Sequence, residues 1–107
     1  KIISKQISLA LKNIKNTNNI LFAYEPIWSI GTGKTLNENS LKKNILFIKK
    51  ILTIKHKIKK PLILYGGSVS SKNIKMFRNI NDINGFLIGS ASLSVNKFID
   101  IIKKSYM

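Results

Sequence analysis

The sequence predicts an α/β chain built on a parallel β-sheet, and three observations predict it. Asn19–Glu25, Leu62–Tyr65 and Ile83–Ile88 are short, largely apolar runs, the pattern of strands buried on both faces. Segments with helical apolar spacing lie between and around them. Of the six glycines, Gly31, Gly33, Gly66, Gly67 and Gly89 stand at or just after a strand's C-terminal end, and Gly85 lies within the third strand region. Strands joined through helices run parallel, with right-handed crossovers.

Lys1–Leu11 reads as a helix whose apolar face is Ile3, Ile7, Ala10 and Ile14. The chain opens on Lys1, so it is expected to begin partway through an element, with an N-terminal part absent. Asn13–Asn19 breaks this helix, and the first strand follows until Pro26, which has no N–H to give a sheet. Ile27–Leu36 is a loop. A long helix is expected from about Asn37 to Lys57, with Leu41, Ile45, Ile48, Leu52 and Lys55 in one row and Ile51 and Ile58 beside it. Thr35 with Glu38 has capping-box spacing, and Asn37 is the rival N-cap. Pro61 opens the second strand and Gly66-Gly67-Ser68 turns tightly after it. Ser70 or Ser71 caps a short helix ending near Phe77. After the third strand and Gly89-Ser90, Ala91-Ser92-Leu93 suits a short helical turn. Ser94 caps a last helix whose face is Val95, Phe98, Ile99 and Ile102.

At 107 residues the chain suffices for one modest core, with no internal domain boundary or low-complexity linker. Absence of cysteine removes disulfides and thiolate metal sites and fits a cytoplasmic protein. No apolar run is long enough to cross a membrane and no signal peptide opens the chain. The formal charge of +15 suggests an anion or nucleic-acid binder. Lys, Asn and Ile, however, make up nearly half of the residues, and all three are encoded by codons of A and T alone. The lysines spread over every helix instead of forming one stripe. An AT-rich genome is therefore the reading adopted, and no nucleic-acid partner is expected. Excess charge of this kind would still help draw in a dianionic substrate.

Parallel β/α folds bind ligands at the C-terminal edge of the sheet, and barrels often hold phosphate in the loops after their last two strands and a short extra helix. Gly66-Gly67-Ser68, Gly89-Ser90 and the turn Ala91-Ser92-Leu93 fit such a site, where glycine lets backbone N–H groups approach an anion. Ordinary βα turns use the same residues. Glu25, one of four acidic residues, follows Leu21 and Ala23 on one strand face and so points inward at that edge. A carboxylate there is a candidate general base; a rim glutamate without a role has the same pattern. Gly33-Lys34-Thr35 imitates the end of a P-loop, but Trp28 stands where that motif needs its first glycine, and Leu36 denies Gly31-x-Gly33 the third glycine of a dinucleotide fingerprint. The one histidine, His56, is expected to be solvated in a lysine-rich tail, and no metal cluster or cofactor motif stands out.

Ala23-Tyr24-Glu25-Pro26-Ile27-Trp28-Ser29-Ile30-Gly31-Thr32-Gly33 resembles the signature of the triosephosphate isomerase family around its catalytic glutamate. Tyr65-Gly66-Gly67-Ser68-Val69 is similar to that family's turn after strand 7, and Gly85–Leu93 to its strand 8 and phosphate helix. The resemblance covers essentially the whole chain. It implies a partial (β/α)8 barrel in which residues 1–107 form a C-terminal segment, from helix 5 through helix 8, of one barrel domain. It implies interconversion of dihydroxyacetone phosphate and D-glyceraldehyde 3-phosphate in glycolysis and gluconeogenesis, with no cofactor or metal. Glu25 would be the base. Backbone N–H groups of Gly31, Ser68, Gly89 and Ser90 would hold the substrate phosphate. Pro26 to Thr35 would be a lid hinged at Pro26-Ile27-Trp28 and Lys34-Thr35-Leu36, carrying Ile30, Thr32 and Gly33 and latched by Tyr65 and Ser68. The complete protein would be a homodimer. Its electrophilic histidine, substrate lysine and main dimer loop would lie in the absent part, leaving the segment alone inactive.

Two residues depart from the family pattern. Ser90 replaces a usual second glycine, and Asn84 replaces a common Asp, an exchange expected to act structurally. The alternatives are a different phosphate-binding barrel enzyme, against which the Glu25–Gly33 signature argues, and a basic non-enzymatic binding module, which needs lysines clustered on one face.

Overall fold

The computed structural model describes residues 2–26 and 37–106. In order these form α1 (Ile2–Ala10), β1 (Leu21–Tyr24), α2 (Glu38–Lys50) with a π-helical extension (Ile51–Lys55), β2 (Leu62–Gly67), α3 (Ile74–Arg78), β3 (Gly85–Ile88), a 3-10 turn (Ser90–Leu93) and α4 (Val95–Ser105). The strands make one parallel sheet in the order β1-β2-β3.

The register divides the sheet into two unlike faces. Phe22 pairs with Ile63, Tyr24 with Tyr65, and Tyr65 with Phe86; these side chains face the helices. There Ile63 and Tyr65 are fully buried with Leu41, Ile45, Leu52, Ile74 and Phe77. The Phe77 ring lies 4.6 Å from that of Tyr65 and 6.4 Å from that of Phe86. Each such side chain contributes about 1.5–3 kcal/mol on leaving water. The other face carries Leu21 with Leu62, Ala23 with Leu64, and Gly66 with Leu87. It lies open, with Leu21 60%, Leu62 47% and Leu87 44% exposed. A Cβ on Gly85 would come within 2.8 Å of Leu64 Cδ2, so glycine is what lets Leu64 lie across β3.

Several boundaries and faces differ from the sequence expectation, each for a local reason. Asn37, not Thr35 (outside the described residues), is the observed cap of α2, its side chain accepting from Ser40 N at 2.9 Å. The long helix does not reach Lys57 as an α-helix. It widens so that His56 N donates to Ile51 O at 3.2 Å, five residues back, and it stops where Lys57 turns left-handed at φ 56°. That widening keeps Leu52 and then Ile58 buried. The α-helical span starts at Ile74, but the turn leading into it begins at Ser70, as a serine cap implies. Ser70 Oγ accepts from Lys72 N at 3.3 Å, Ser70 O accepts from Ile74 N at 3.0 Å, and Asn73 folds back to accept from Ser70 N at 2.8 Å. The α1 face is Ile3, Ile7 and Leu11, with Ile14 exposed. Phe98 and Ile101, three residues apart, form the inward side of α4, while Val95, Ile99 and Ile102 are exposed. β3 begins at Gly85, just after Asn84 has closed the sheet. Asn84 N donates to Ile63 O at 2.8 Å, and its Oδ1 accepts from Ile63 N at 2.9 Å. His56 is half-buried, and its Nε2 has no hydrogen-bond partner among the described residues.

Candidate functional site

Alternation along β1 carries Glu25 onto the open face behind Leu21 and Ala23, at the strand's C-terminal end. Buried Pro26 follows it. The Glu25 side chain lies flat over the neighbouring strand. A Cβ built on Gly66 would stand 2.6 Å from Glu25 Cγ, 3.0 Å from Oε2 and 3.1 Å from Cδ. Gly66 therefore supplies the floor on which the carboxylate rests, a role that any side chain would block.

In front of Glu25 opens a groove of about 850 Å³. Ser68, Gly89 and Ser90 line it, with Lys72, Asn73 and Lys97 among the further walls. The turn bearing Ser68 is held from behind, because Asn73 Nδ2 donates to Ser68 O at 2.6 Å while its Oδ1 accepts from Ser70 N. At Gly89 nothing among the described residues stands within 4 Å of a built Cβ, so toward them this backbone is open. The 3-10 turn from Ser90 is closed by Ser92 N and Ser92 Oγ, which both donate to Gly89 O, at 2.9 Å and 2.6 Å. Amides that begin a helical turn have no acceptor within it, which suits them to an anion.

Charge singles out the same carboxylate. Of the four acids, Glu38 pairs with Lys42 at 2.8 Å, Asp82 with Lys49 at 2.7 Å, and Asp100 with Lys104 at 3.2 Å. The Lys104 and Ser71 hydrogen bonds hold the Asp100 carboxyl below its ordinary pKa. Glu25 has no ion pair among the described residues. Its neighbour Tyr24 points to the helix face, where the hydroxyl accepts from Asn44 Nδ2 at 3.0 Å. Burial pushes that phenol's pKa up, and the Asn44 bond opposes the shift.

Four of the residues singled out in the sequence, Glu25, Ser68, Gly89 and Ser90, thus border one groove at one sheet edge. Tyr65 stands apart, buried on the helix face with its ring on Phe77. Ile27, Trp28, Ile30, Gly31, Thr32, Gly33, Lys34 and Thr35 lie outside the described residues; of the expected lid only Pro26 is described, and of the expected latch pair Ser68 lines the groove. Sequence reading missed Asn73, Lys72 and Lys97. Asn73 had a signal, since Ser70-Ser71-Lys72-Asn73 is a run of turn formers. In so lysine-rich a chain nothing singles out Lys72 or Lys97. Among the described residues no group of three or more His, Cys, Asp or Glu is placed to hold a metal, and no helix is long and apolar enough to cross a membrane. A carboxylate without a counter-ion among the described residues, set beside two Gly/Ser turns, can take a proton from a ligand whose anionic end sits on those turns.

The family model described as triosephosphate isomerase matches residues 1–105. Among curated relatives, triosephosphate isomerase of Mycoplasma mobile is 43% identical over 103 residues, covering 96% of this chain and 40% of that protein. The Mesomycoplasma hyorhinis enzyme is 42% identical over 102 residues, 95% of this chain and 40% of its own length. That of Thermodesulfovibrio yellowstonii is 39% identical over 105 residues, 96% and 43%. The chain spans about two fifths of the length of these relatives. A family match along nearly the whole chain, on a parallel α/β sheet of this kind, means that this chain belongs to the triosephosphate isomerase family.

Proposed function

We propose that this chain is the C-terminal segment of a triosephosphate isomerase, contributing strands 6 to 8 of an eight-stranded barrel and the catalytic base Glu25. The observation that carries this reading is the meeting of Glu25 with Ser68, Gly89 and Ser90 around one groove, in a chain of this family. The substrate phosphate sits on backbone N–H groups of Gly31, Ser68, Gly89 and Ser90, with its carbon chain over Glu25. The Glu25 carboxylate removes a proton from C1 of dihydroxyacetone phosphate. The C1–H bonding pair becomes the C1–C2 double bond of an enediol(ate). As the C1=C2 bond forms, the C2=O π pair moves onto O2, which takes up a proton while O1 gives one up. Glu25 then returns a proton to C2 as C1–O1 becomes the aldehyde carbonyl, giving D-glyceraldehyde 3-phosphate with no net redox change and no metal or cofactor. Polarising the carbonyl requires a hydrogen-bond donor from outside these residues, and such electrostatic stabilisation is usually the largest catalytic contribution. The segment alone is therefore inactive. The complete protein is a cytoplasmic homodimer working in glycolysis and gluconeogenesis.

The open sheet face supports the placement as part of a barrel. Leu21, Leu62 and Leu87 are apolar yet exposed, as expected of residues whose opposing strands lie elsewhere in the complete protein. The test is to express a full-length protein ending in these residues and to assay triose phosphate interconversion in both directions. Turnover that is lost on Glu25→Gln supports the reading. A folded full-length protein that binds phosphate esters but does not interconvert triose phosphates contradicts it.

A further inference from the structure

A second concave site lies at the opposite end of the sheet from Glu25. It is a hollow of about 350 Å³ at the N-terminal ends of β1 and β2, lined by Thr17, Asn18, Ile20 and residues Lys57 to Leu62. Four strand steps of about 3.3 Å separate Leu21 from Glu25, so the two sites are distinct.

Lys57, Lys59 and Lys60 all stand at the hollow, and none has an ion pair among the described residues. No acid lines it: Glu38, Asp82 and Asp100 are paired elsewhere, and Glu25 borders the groove. Composition explains many lysines but not these positions. Lys57 (φ 56°) and Lys60 (φ 50°) adopt the left-handed conformation, which costs lysine stability and suits asparagine better. Asparagine is as readily supplied by AT-rich codons, and Asn13 fills the one other left-handed non-glycine position among the described residues, just after α1. Attraction to a helix C-terminus accounts for Lys55, in the last turn, but Lys57, Lys59 and Lys60 lie beyond it. Two lysines thus occupy strained positions where a less costly residue was available, and both border one hollow.

We propose that this hollow binds a compact oligophosphate anion, held by the ammonium groups of Lys57, Lys59 and Lys60, with the Thr17 hydroxyl and the Asn18 side-chain amide as further donors. Concavity favours a compact ligand over a nucleic-acid helix, which needs an extended basic surface.

The probe is pyrophosphate, titrated calorimetrically into the full-length protein in about 0.15 M salt, where long-range attraction is screened. Dihydroxyacetone phosphate is added in excess to occupy the groove. The key variant is Lys57→Asn/Lys60→Asn, which removes two charges and relieves two left-handed lysines. It is expected to weaken pyrophosphate binding at least about tenfold, to raise the unfolding midpoint by about 2–4 °C, and to leave kcat and KM unchanged. Lys12→Asn/Lys15→Asn, with the same charge change, should bind pyrophosphate like wild type. Equal pyrophosphate affinity in wild type and Lys57→Asn/Lys60→Asn overturns the proposal. So does equal weakening in both double variants, which makes the attraction a matter of net charge. Tight binding of duplex RNA that pyrophosphate fails to displace points to a polyanion face and also overturns it. Loss of isomerase activity bears on the Glu25 groove and not on this hollow.

Discussion

Replacing Gly66 with alanine tests whether the floor under Glu25 matters to its chemistry. The new Cβ would meet Glu25 Cγ at 2.6 Å, against at least 3.4 Å for ordinary contact, a deficit of 0.8 Å. Cγ lies within the stem of the Glu25 side chain, one bond beyond Cβ and not at its free end, so rotating the carboxylate alone does not relieve the clash. Either the whole side chain lifts off β2 or the strand ends separate. Displacing a reacting group by about 1 Å costs on the order of 10²-fold in rate, while overpacking a tight contact costs about 1–3 kcal/mol of stability. In the full-length enzyme Gly66→Ala should therefore lower kcat about 10²-fold, with KM for dihydroxyacetone phosphate within about threefold, since Gly66 lies on β2 and its own N–H is not among those proposed to hold the phosphate. A coupled assay and thermal unfolding on the same preparation separate the two effects. A folded Gly66→Ala enzyme with near-normal kcat would refute the idea that the carboxylate's seat is set by this glycine.

Three further expectations follow from other contacts. Asn84→Ala removes the acceptor for Ile63 N at 2.9 Å and should cost about 1–3 kcal/mol in chemical denaturation, whereas Asn84→Asp, which keeps that acceptor, should stay within about 0.5 kcal/mol. The Tyr24 phenol has a raised pKa in the folded chain, so its contribution to stability is complete below the unfolded value near 10 and is lost as pH rises through the folded pKa. Tyr24→Phe should flatten the alkaline fall in stability relative to wild type, and an unchanged fall would remove Tyr24 as its source. Residues 1–107 purified alone should show no isomerase activity and should self-associate through the face of Leu21, Leu62 and Leu87, as read by light scattering. A monomer with cooperative unfolding and measurable turnover would contradict that.

The order of elements was legible because a buried parallel strand and an amphipathic helix leave different apolar periods. Sidedness was legible only where residue size or charge differed between faces. In β1 the alternation Leu21, Ala23, Glu25 marked the open face. In β2 the run Leu62-Ile63-Leu64-Tyr65 is apolar on both faces, so the run itself gives no sidedness; only pairing with β1 places Ile63 with Phe22 against the helices. The site's glycines announced themselves because so few occur in the chain. Its supports did not: the Asn73 clip, the π-helical widening before His56 and the left-handed lysines depend on where the chain goes next, which no local pattern encodes.

The central claim, that Glu25 is the base of a triose phosphate isomerisation, is tested most directly by Glu25→Gln in the full-length enzyme, with kcat and KM measured in both directions. The change keeps the side chain's shape over Gly66 and removes its negative charge and its ability to take a proton. General base catalysis is worth about 10²–10⁴-fold, roughly 3–5 kcal/mol. The account predicts a fall in kcat of at least that range with KM little changed. A correctly folded Glu25→Gln enzyme that turns over at near the normal rate would contradict it.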